Sequence, residues 1–217
     1  MGYWCSVGLW MGVGLVLVWV FIDGVLVWCS SDVASKFTGK VVNGVVFGAD
    51  GLFYILSTTA PYFYSINPPS GSLVNIGGVG PSPVGLAISS NKKYIVSWHS
   101  ATPFIYVFEY DNGTYRRIGS PPIGAASFSR VEVSDSGVIV AKPSTGSNFY
   151  VCSVEQNGIS PMIISVVDAA TAWGISPCGR FIVTWVSNYC RTYKIKNNSI
   201  SNPSPLYLFI QLVHLGH

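Results

Sequence analysis

Histidine is the side chain best suited to acid–base chemistry near neutral pH, and this sequence contains three, two of them near the C-terminus. The third, His99, follows Trp98 at the end of a predicted strand, with Ser97 and Ser100 nearby. A general base needs a nucleophile and an orienting partner, and no acidic residue stands at a recognisable triad spacing. We therefore predict no catalytic residue. His99 and Trp98 are candidate ligand or channel residues, and a structural hydrogen bond is the favoured role of His99.

Cysteines are the candidate residues for metal and disulfide chemistry. The five cysteines are Cys5, Cys29, Cys152, Cys178 and Cys190. No pair has the C-x-x-C spacing of a zinc ribbon, and the aspartates do not recur with calcium-loop spacing. Cys178 and Cys190 flank one hairpin and form the candidate disulfide, although the odd count and wide spacing favour buried, unpaired thiols. We predict no metal site and no cofactor.

A strand–turn–strand unit recurs along the chain and must position any site. The copies occupy residues 47–55, 88–96, 133–140 and 175–183. Their equivalent turn residues are Gly51, Lys92, Gly137 and Gly179. Glycine suits a turn position that needs a positive φ, so Lys92 is the exception. The separations of 41, 45 and 42 residues are typical of β-propeller repeats, in which each repeat is one four-stranded blade.

The rest of each unit agrees with a blade. Third strands are predicted over residues 62–66, 104–110, 149–154 and 191–195. Three of them precede the turn pairs Asn112-Gly113, Asn157-Gly158 and Asn197-Asn198, and Asn-Gly is a strong hairpin signal. Apolar and polar residues alternate only weakly, as expected for a sheet buried on both sides. The sequence predicts an all-β fold, a β-propeller of four clear four-stranded blades; an ordinary β-sandwich is the alternative.

A resemblance to known repeats supports the propeller. The Ser-Pro-x-Gly-Arg-aromatic-apolar pattern from Ser176 to Ile182 resembles the turn of WD40-type repeats. Residues 88–117 resemble the degenerate repeats of propeller proteins associated with bacteriophage virions and tails. Residues 89–94, 98–100 and 103–108 carry this second resemblance. No unit has the Trp-Asp or Gly-His pairs of true WD40 blades, so their hydrogen-bond network is not carried over.

The N-terminal segment, residues 1–44, has two interpretations. No charged residue occurs from Met1 to Ile22, and a membrane span needs about 20 apolar residues. Residues 1–29 could therefore contact a membrane as an anchor. The alternative is a degenerate first blade, because Asp23-Gly24 separates two Val-rich runs as a turn separates two strands.

Two further segments complete the predicted organisation. Residues 45–205 hold the blades, and residues 206–217 form one more apolar run. This run is predicted to close the ring by pairing with the N-terminal part or to begin a further blade. Propellers usually have four to eight blades, so the units seen here predict a small propeller, an incomplete one, or one closed by oligomerisation.

Composition bears on partners and location. Charged residues make up only 10% of the chain and the net charge is +3, against about 25% charged residues in ordinary domains. Paired basic residues are few, so no nucleic-acid partner is predicted. A surface poor in charge suits extracellular modules or packed assemblies, and we expect a virion or extracytoplasmic location over the cytosol.

These patterns favour a non-enzymatic protein-interaction or structural module, by resemblance a component of a phage-like virion or tail. The predicted partners are other proteins, including neighbouring subunits of an assembly. Candidate interface residues are the third-strand tyrosines Tyr62, Tyr64, Tyr106 and Tyr110. The alternative is an enzyme or a small-ligand or glycan binder that uses the central channel, such as a lactonase-like site. The glutamates Glu109, Glu132 and Glu155 fall at unlike positions within their units, which weakens this alternative.

Overall fold

The computed structural model describes the chain over residues 5–12, 15–22, 25–30, 41–60, 62–67, 73–122, 127–156, 158–166, 172–186, 189–201 and 204–206. Every regular element in these ranges is a β-strand, and paired strands are antiparallel throughout. The predicted all-β fold is confirmed.

Four sheets correspond to the four predicted repeats. Blade 1 consists of β4 (Val42–Phe47), β5 (Phe53–Ser57), β6 (Phe63–Ile66) and β7 (Leu73–Asn75). Blade 2 consists of β8 (Pro83–Ile88), β9 (Tyr94–His99), β10 (Ile105–Asp111) and β11 (Thr114–Gly119). Blade 3 consists of β12 (Phe128–Val133), β13 (Val138–Pro143), β14 (Asn148–Glu155), β15 (Gly158–Ile159) and β16 (Ile163–Val166). Blade 4 consists of β17 (Ala172–Ile175), β18 (Phe181–Val186), β19 (Tyr189–Lys196), β20 (Ser199–Ile200) and β21 (Ser204–Leu206).

Within each blade the strands pair in chain order, and in blades 3 and 4 two short strands share the outermost place. The first strands of successive blades contact each other: β4 packs against β8, β8 against β12 and β12 against β17. Outer strands also meet, β11 with β15 and β16 with β20. The blades therefore stand side by side around a row of first strands, which is the radial order of a propeller and not that of a sandwich.

The turns between first and second strands share one backbone geometry. Their equivalent residues Gly51, Lys92, Gly137 and Gly179 have φ angles of 80°, 61°, 81° and 69°. Each donates its N–H to the carbonyl three residues earlier. For Lys92 the left-handed conformation costs about 1–2 kcal/mol. Its ammonium lies 4.5 Å from the centre of the Phe47 ring, a cation–π contact that offsets part of this cost.

Burial on both sides explains the weak alternation of the sequence. All five residues of β5 and all six of β9 are buried. One apolar cluster lies between blades 1 and 2, a second between blades 2 and 3, and a third between blades 3 and 4. We call the side of a blade that meets the next blade its forward side, and the opposite side its backward side.

The two ends of the chain bear on the remaining predictions. Strands β1 (Cys5–Gly12), β2 (Leu15–Ile22) and β3 (Val25–Ser30) form a separate three-stranded antiparallel sheet, and the choice between a blade and an anchor stays a prediction. No helix in the described ranges is long and apolar enough to span a membrane. The run predicted as a closing strand lies outside the described residues after Leu206.

Candidate functional site

His99 is the last residue of β9 and is fully buried, with 0% of its surface exposed. Its Nδ1 donates to the Pro81 carbonyl at 3.1 Å, and Nε2 shares a hydrogen bond of 3.2 Å with the Ser97 hydroxyl. Burial lowers its pKa from the ordinary value, because an imidazolium is poorly solvated there. The neutral ring joins the end of β9 to the loop before β8, so these hydrogen bonds have a structural role. A ligand role for His99 stays a prediction.

Trp98 points away from His99, to the forward side of blade 2, and is 8% exposed. Its indole lies over Gly85, where an added Cβ would overlap the ring. The indole N–H has no hydrogen-bond partner among the described residues. Gly85 therefore serves as the flat surface on which the ring packs, and the pair is part of the core.

The four candidate interface tyrosines divide into two kinds. Tyr64 and Tyr106 are 3% and 5% exposed, so in this chain their rings belong to the core. Tyr62 and Tyr110 are half-buried, and an interface role for them stays a prediction. Sequence reasoning could not separate the two kinds, because both lie on or beside third strands.

The first two turns are linked by one tyrosine hydroxyl. Tyr115 in β11 accepts from the Ala49 N–H at 3.2 Å and donates to the Lys92 carbonyl. Tyr54 in β5 donates to the Asp50 carboxylate at 2.6 Å. Burial raises the pKa of Tyr115 to about 12, and burial followed by the Asp50 carboxylate raises the pKa of Tyr54 further. Both phenols stay protonated; the Tyr115 hydroxyl joins the turns of blades 1 and 2, whereas the Tyr54 bond lies within blade 1.

The later turns are joined by direct contacts. The Asn91 N–H donates to the Asp135 carboxylate at 2.7 Å, and the Asp135 N–H donates to the Pro177 carbonyl at 2.8 Å. The Ser136 hydroxyl donates to the Cys178 carbonyl at 3.0 Å. Together with the Tyr115 link, these bonds connect all four turns in series.

A serine repeated at the start of three turns supports this geometry, and sequence reasoning missed it. The hydroxyls of Ser89, Ser134 and Ser176 accept from the N–H of Tyr94, Val138 and Phe181 at 3.0, 2.9 and 3.0 Å. The signal was present, since these serines are 45 and 42 residues apart. In blade 1 the Asp50 carboxylate takes the same part and accepts from the Leu52 N–H at 3.1 Å.

Two charged side chains of blade 3 lie where it meets blade 4. Arg130 and Glu132 in β12 form an ion pair, and Glu132 accepts from the Ile175 N–H at 2.9 Å. The Arg130 guanidinium lies 5.2 Å from the Trp173 ring centre. These contacts fix β17 against β12. Within the described part of the chain, no group of three or more His, Cys, Asp and Glu side chains is placed to hold a metal ion.

The pairing and burial of the cysteines agree only in part with the prediction. Cys152, Cys178 and Cys190 are free thiols, so the candidate Cys178–Cys190 disulfide is wrong. The reason is position: Cys178 lies in the turn before β18, whereas Cys190 pairs with Trp185 at the far end of that strand. Cys152 is buried as expected, but Cys178 is exposed. Hydrogen bonds from Ser176 and Arg180 lower the pKa of Cys178 to about 7.

The forward side of blade 4 is the surface that departs from the repeat. In each blade, the last residue pair before the turn closes the hairpin between the first and second strands. The next residue on the second strand points to the forward side. These equivalent residues are Tyr54, Val96, Val140 and Val183. Their exposures are 1%, 0%, 0% and 43%. Phe181, two residues before Val183 on the same side of β18, is 38% exposed. The described residues thus leave uncovered a surface that is core in the three preceding blades.

Comparison with known proteins bears on the fold. No family model and no curated protein matches this sequence. Solved structures do. The complex of KlAtg21 with the coiled-coil of AgAtg16 has a TM-score of 0.62 at 11% identity, covering 92% of this chain and 71% of that one. The β-propeller domain of Cps50 (Swd1) from Myceliophteria thermophila has a TM-score of 0.60 at 9% identity, covering 84% and 63%. This chain is a β-propeller. The prediction of a β-propeller is confirmed, and the likeness of its repeats to the WD40 type stays a resemblance.

A third similar structure is that of an enzyme. The periplasmic gluconolactonase PpgL of Pseudomonas aeruginosa has a TM-score of 0.58 at 18% identity, covering 93% of this chain and 66% of that one. At such identities the likeness concerns the fold alone, and propellers host many functions. The gluconolactonase therefore carries no activity over to this chain. This chain spans 71%, 63% and 66% of the length of these three structures, in the order given.

Proposed function

We propose that this chain is a non-enzymatic protein-interaction or structural propeller that binds its partner through the forward side of blade 4. The observation that carries the proposal is the exposure of Val183 and Phe181, since their equivalents in the earlier blades are covered by a neighbouring sheet. An apolar surface of this kind on a folded domain marks an interaction site. The exposed Lys194 lies on the same side, opposite Phe181 on β19.

The finer proposal is a phage-like virion or tail component, in a virion or outside the cytoplasm. Its support is the resemblance of residues 88–117 to degenerate virion-associated repeats, together with the low charged fraction of 10%. A chain with few charges suits an assembly in which neighbouring subunits cover much of the surface.

Chemical cross-linking with an amine-reactive reagent on the purified assembly tests the proposed surface. Lys194 and Lys196, both exposed on β19, are expected to give cross-links to other polypeptides. Lys93, exposed at the turn end of blade 2, is the matched control and is expected to give cross-links within the chain. If Lys194 and Lys196 label freely but never link to another chain, this surface is not the interaction site.

An enzyme or small-ligand binder is the second candidate, and the gluconolactonases share its fold. Such a function needs acidic or histidine side chains that converge from several blades, and His99 is enclosed by its own blade and the loop before it. Hydrolysis of a lactone panel by the purified chain, abolished by a substitution at a channel residue, would reverse the ranking.

A further inference from the structure

We infer that His99 is an acid-sensitive switch: its neutral ring holds the segment between blades 1 and 2 against the fold, and the protonated ring releases it. We call this segment, residues 76–82 between β7 and β8, the connector. The inference is separate from the proposed function, because it concerns a different part of the chain.

The connector covers the His99 ring. Every residue of the connector is half-buried or exposed, whereas the surface of His99 is 0% exposed. Near the end of the connector the Pro81 carbonyl accepts from His99 at 3.1 Å, and the next carbonyl, that of Ser82, accepts from the Ser100 N–H at 2.9 Å. Pro81 and Ser82 are both exposed. The ring therefore gains contact with water when this end of the connector moves away, without unfolding of the blades.

The hydrogen bonds of the ring suit its neutral form. A carbonyl oxygen only accepts, so Nδ1 carries the proton that is donated to Pro81, and Nε2 accepts from the Ser97 hydroxyl at 3.2 Å. A second proton on Nε2 makes this nitrogen a donor and removes the acceptor of the Ser97 O–H. Ser97 is also 0% exposed, so water does not replace the lost bond while the connector is in place, and an unsatisfied buried donor is costly.

The strands of blade 2 bring a positive charge towards the ring. From β10, the Tyr106 ring meets the imidazole edge-on, with ring centres 4.9 Å apart. From β11, the Arg117 guanidinium lies 4.6 Å from the centre of the Tyr106 ring and donates to the Gly78 carbonyl of the connector at 3.1 Å. A guanidinium stays charged at every pH of interest. It disfavours a second cation at His99 and does not balance it.

The other elements around the ring offer no carboxylate among the described residues. The connector, β8 and the loop between β9 and β10 contain no titratable side chain. Where blade 1 faces blade 2, Asp50, Tyr54 and Tyr115 lie at the turn end. His99 lies at the opposite end of β9, and a strand of this length spans about 17–20 Å. Tyr62 is at the same end as His99, but a phenol is neutral in acid.

The direction of the pH effect follows from burial. Burial is the largest influence on the pKa of His99 and lowers it, although hydrogen bonds to the connector raise it. A ring exposed to water has a pKa of about 6.5. The covered ring therefore binds fewer protons than the exposed ring, and the covered state loses stability as the pH falls below this value. Linkage to one proton raises the population of the released connector by up to about tenfold between pH 7.5 and pH 5.5.

Amide hydrogen exchange of the full chain, followed by NMR at pH 7.5 and pH 5.5, tests the inference. The rates are corrected for the intrinsic effect of pH on exchange. The reporter is the Ser100 amide, which is bonded to the connector, and the matched control is the Ser134 amide, bonded to the Val138 carbonyl at the same distance of 2.9 Å. Ser100 is expected to exchange up to about tenfold faster at pH 5.5, and Ser134 at an unchanged rate. His99→Asn keeps an N–H donor for Pro81 but takes up no proton, so its Ser100 amide is expected to show no pH effect.

Titration of the His99 ring in the wild type, observed by NMR, keeps the test decisive if His99→Asn does not fold. A ring pKa at or above 6.5 overturns the inference, and so does equal protection of the Ser100 amide at both pH values. Equal losses at Ser100 and Ser134 would mean that acid loosens the whole fold, which also overturns it. A pH effect at Ser100 that persists in His99→Asn would assign the effect to other groups, such as His214 or His217, and would overturn the role of His99.

Discussion

Replacing a turn glycine by alanine at two equivalent positions separates backbone strain from contacts between blades. Gly51 and Gly179 have similar φ angles, 80° and 69°. Around Gly51 there is open space, since no atom lies within 4 Å of an added Cβ. At Gly179 the added Cβ would overlap the Ser136 hydroxyl and lie 2.7 Å from the Ser134 hydroxyl. Both serines belong to the neighbouring turn of blade 3.

The expected magnitudes follow from these surroundings. An alanine in the left-handed region costs about 1–2 kcal/mol, and the stiffer unfolded chain returns about 0.4–1 kcal/mol. Gly51→Ala should therefore lower the free energy of unfolding by about 1 kcal/mol. Gly179→Ala should also displace the Ser136 hydroxyl from the Cys178 carbonyl and the Ser134 hydroxyl from the Val138 N–H. At about 1 kcal/mol for each bond, its total loss is about 3 kcal/mol.

Thermal unfolding followed by circular dichroism measures the difference. A change of 1 kcal/mol shifts the midpoint of a chain of this size by roughly 2–4 °C. Gly51→Ala is expected to lower the Tm by about that amount, and Gly179→Ala by about three times as much. Equal losses in the two variants would refute the reasoning, because they would mean that the turn of blade 4 does not pack on the turn of blade 3.

Two further predictions concern ionisable groups. Tyr115→Phe is expected to cost about 2 kcal/mol in unfolding experiments, because the hydroxyl bridges the first two turns. The folded-state pKa of Tyr115, about 12, is above its unfolded value. The stabilisation from this group is therefore complete below pH 10 and is lost as the pH rises to 12. A Tyr115→Phe protein that loses stability over this range as steeply as the wild type contradicts the assignment. Cys178 is expected to react with iodoacetamide near pH 7 in the folded protein, whereas Cys152, whose pKa burial raises to about 12, reacts only after unfolding. Ser176→Ala should slow the Cys178 reaction at pH 7, and an unchanged rate would show that the Ser176 hydrogen bond does not lower its pKa.

Local features of the blades could be read from the sequence. The Asn112-Gly113 pair adopts φ angles of 49° and 85°, the left-handed turn that this dipeptide favours. The third strand predicted at 104–110 is observed at Ile105–Asp111. Turn and strand conformations depend on residues a few positions apart, so a single sequence carries their signals.

The candidate site residues were less predictable. His99 was rightly placed at a strand end, but only the fold shows that the Pro81 carbonyl and the Ser97 hydroxyl enclose its ring. Lys92 was the exception to the glycine pattern, and the structure shows that it adopts the same left-handed backbone. The Phe47 ring that its ammonium contacts belongs to the preceding blade, so no local pattern around Lys92 could reveal it.

The sequence by itself determined the repeat, its all-β character and the position of each turn, because these depend on glycine, asparagine and apolar residues at fixed spacing. Tertiary structure alone decided which repeated positions are covered. Val96, Val140 and Val183 are the same residue type at equivalent positions, yet the first two are buried and Val183 is exposed. Burial depends on what packs against a side chain from some forty residues away, and for Val183 no described sheet does so.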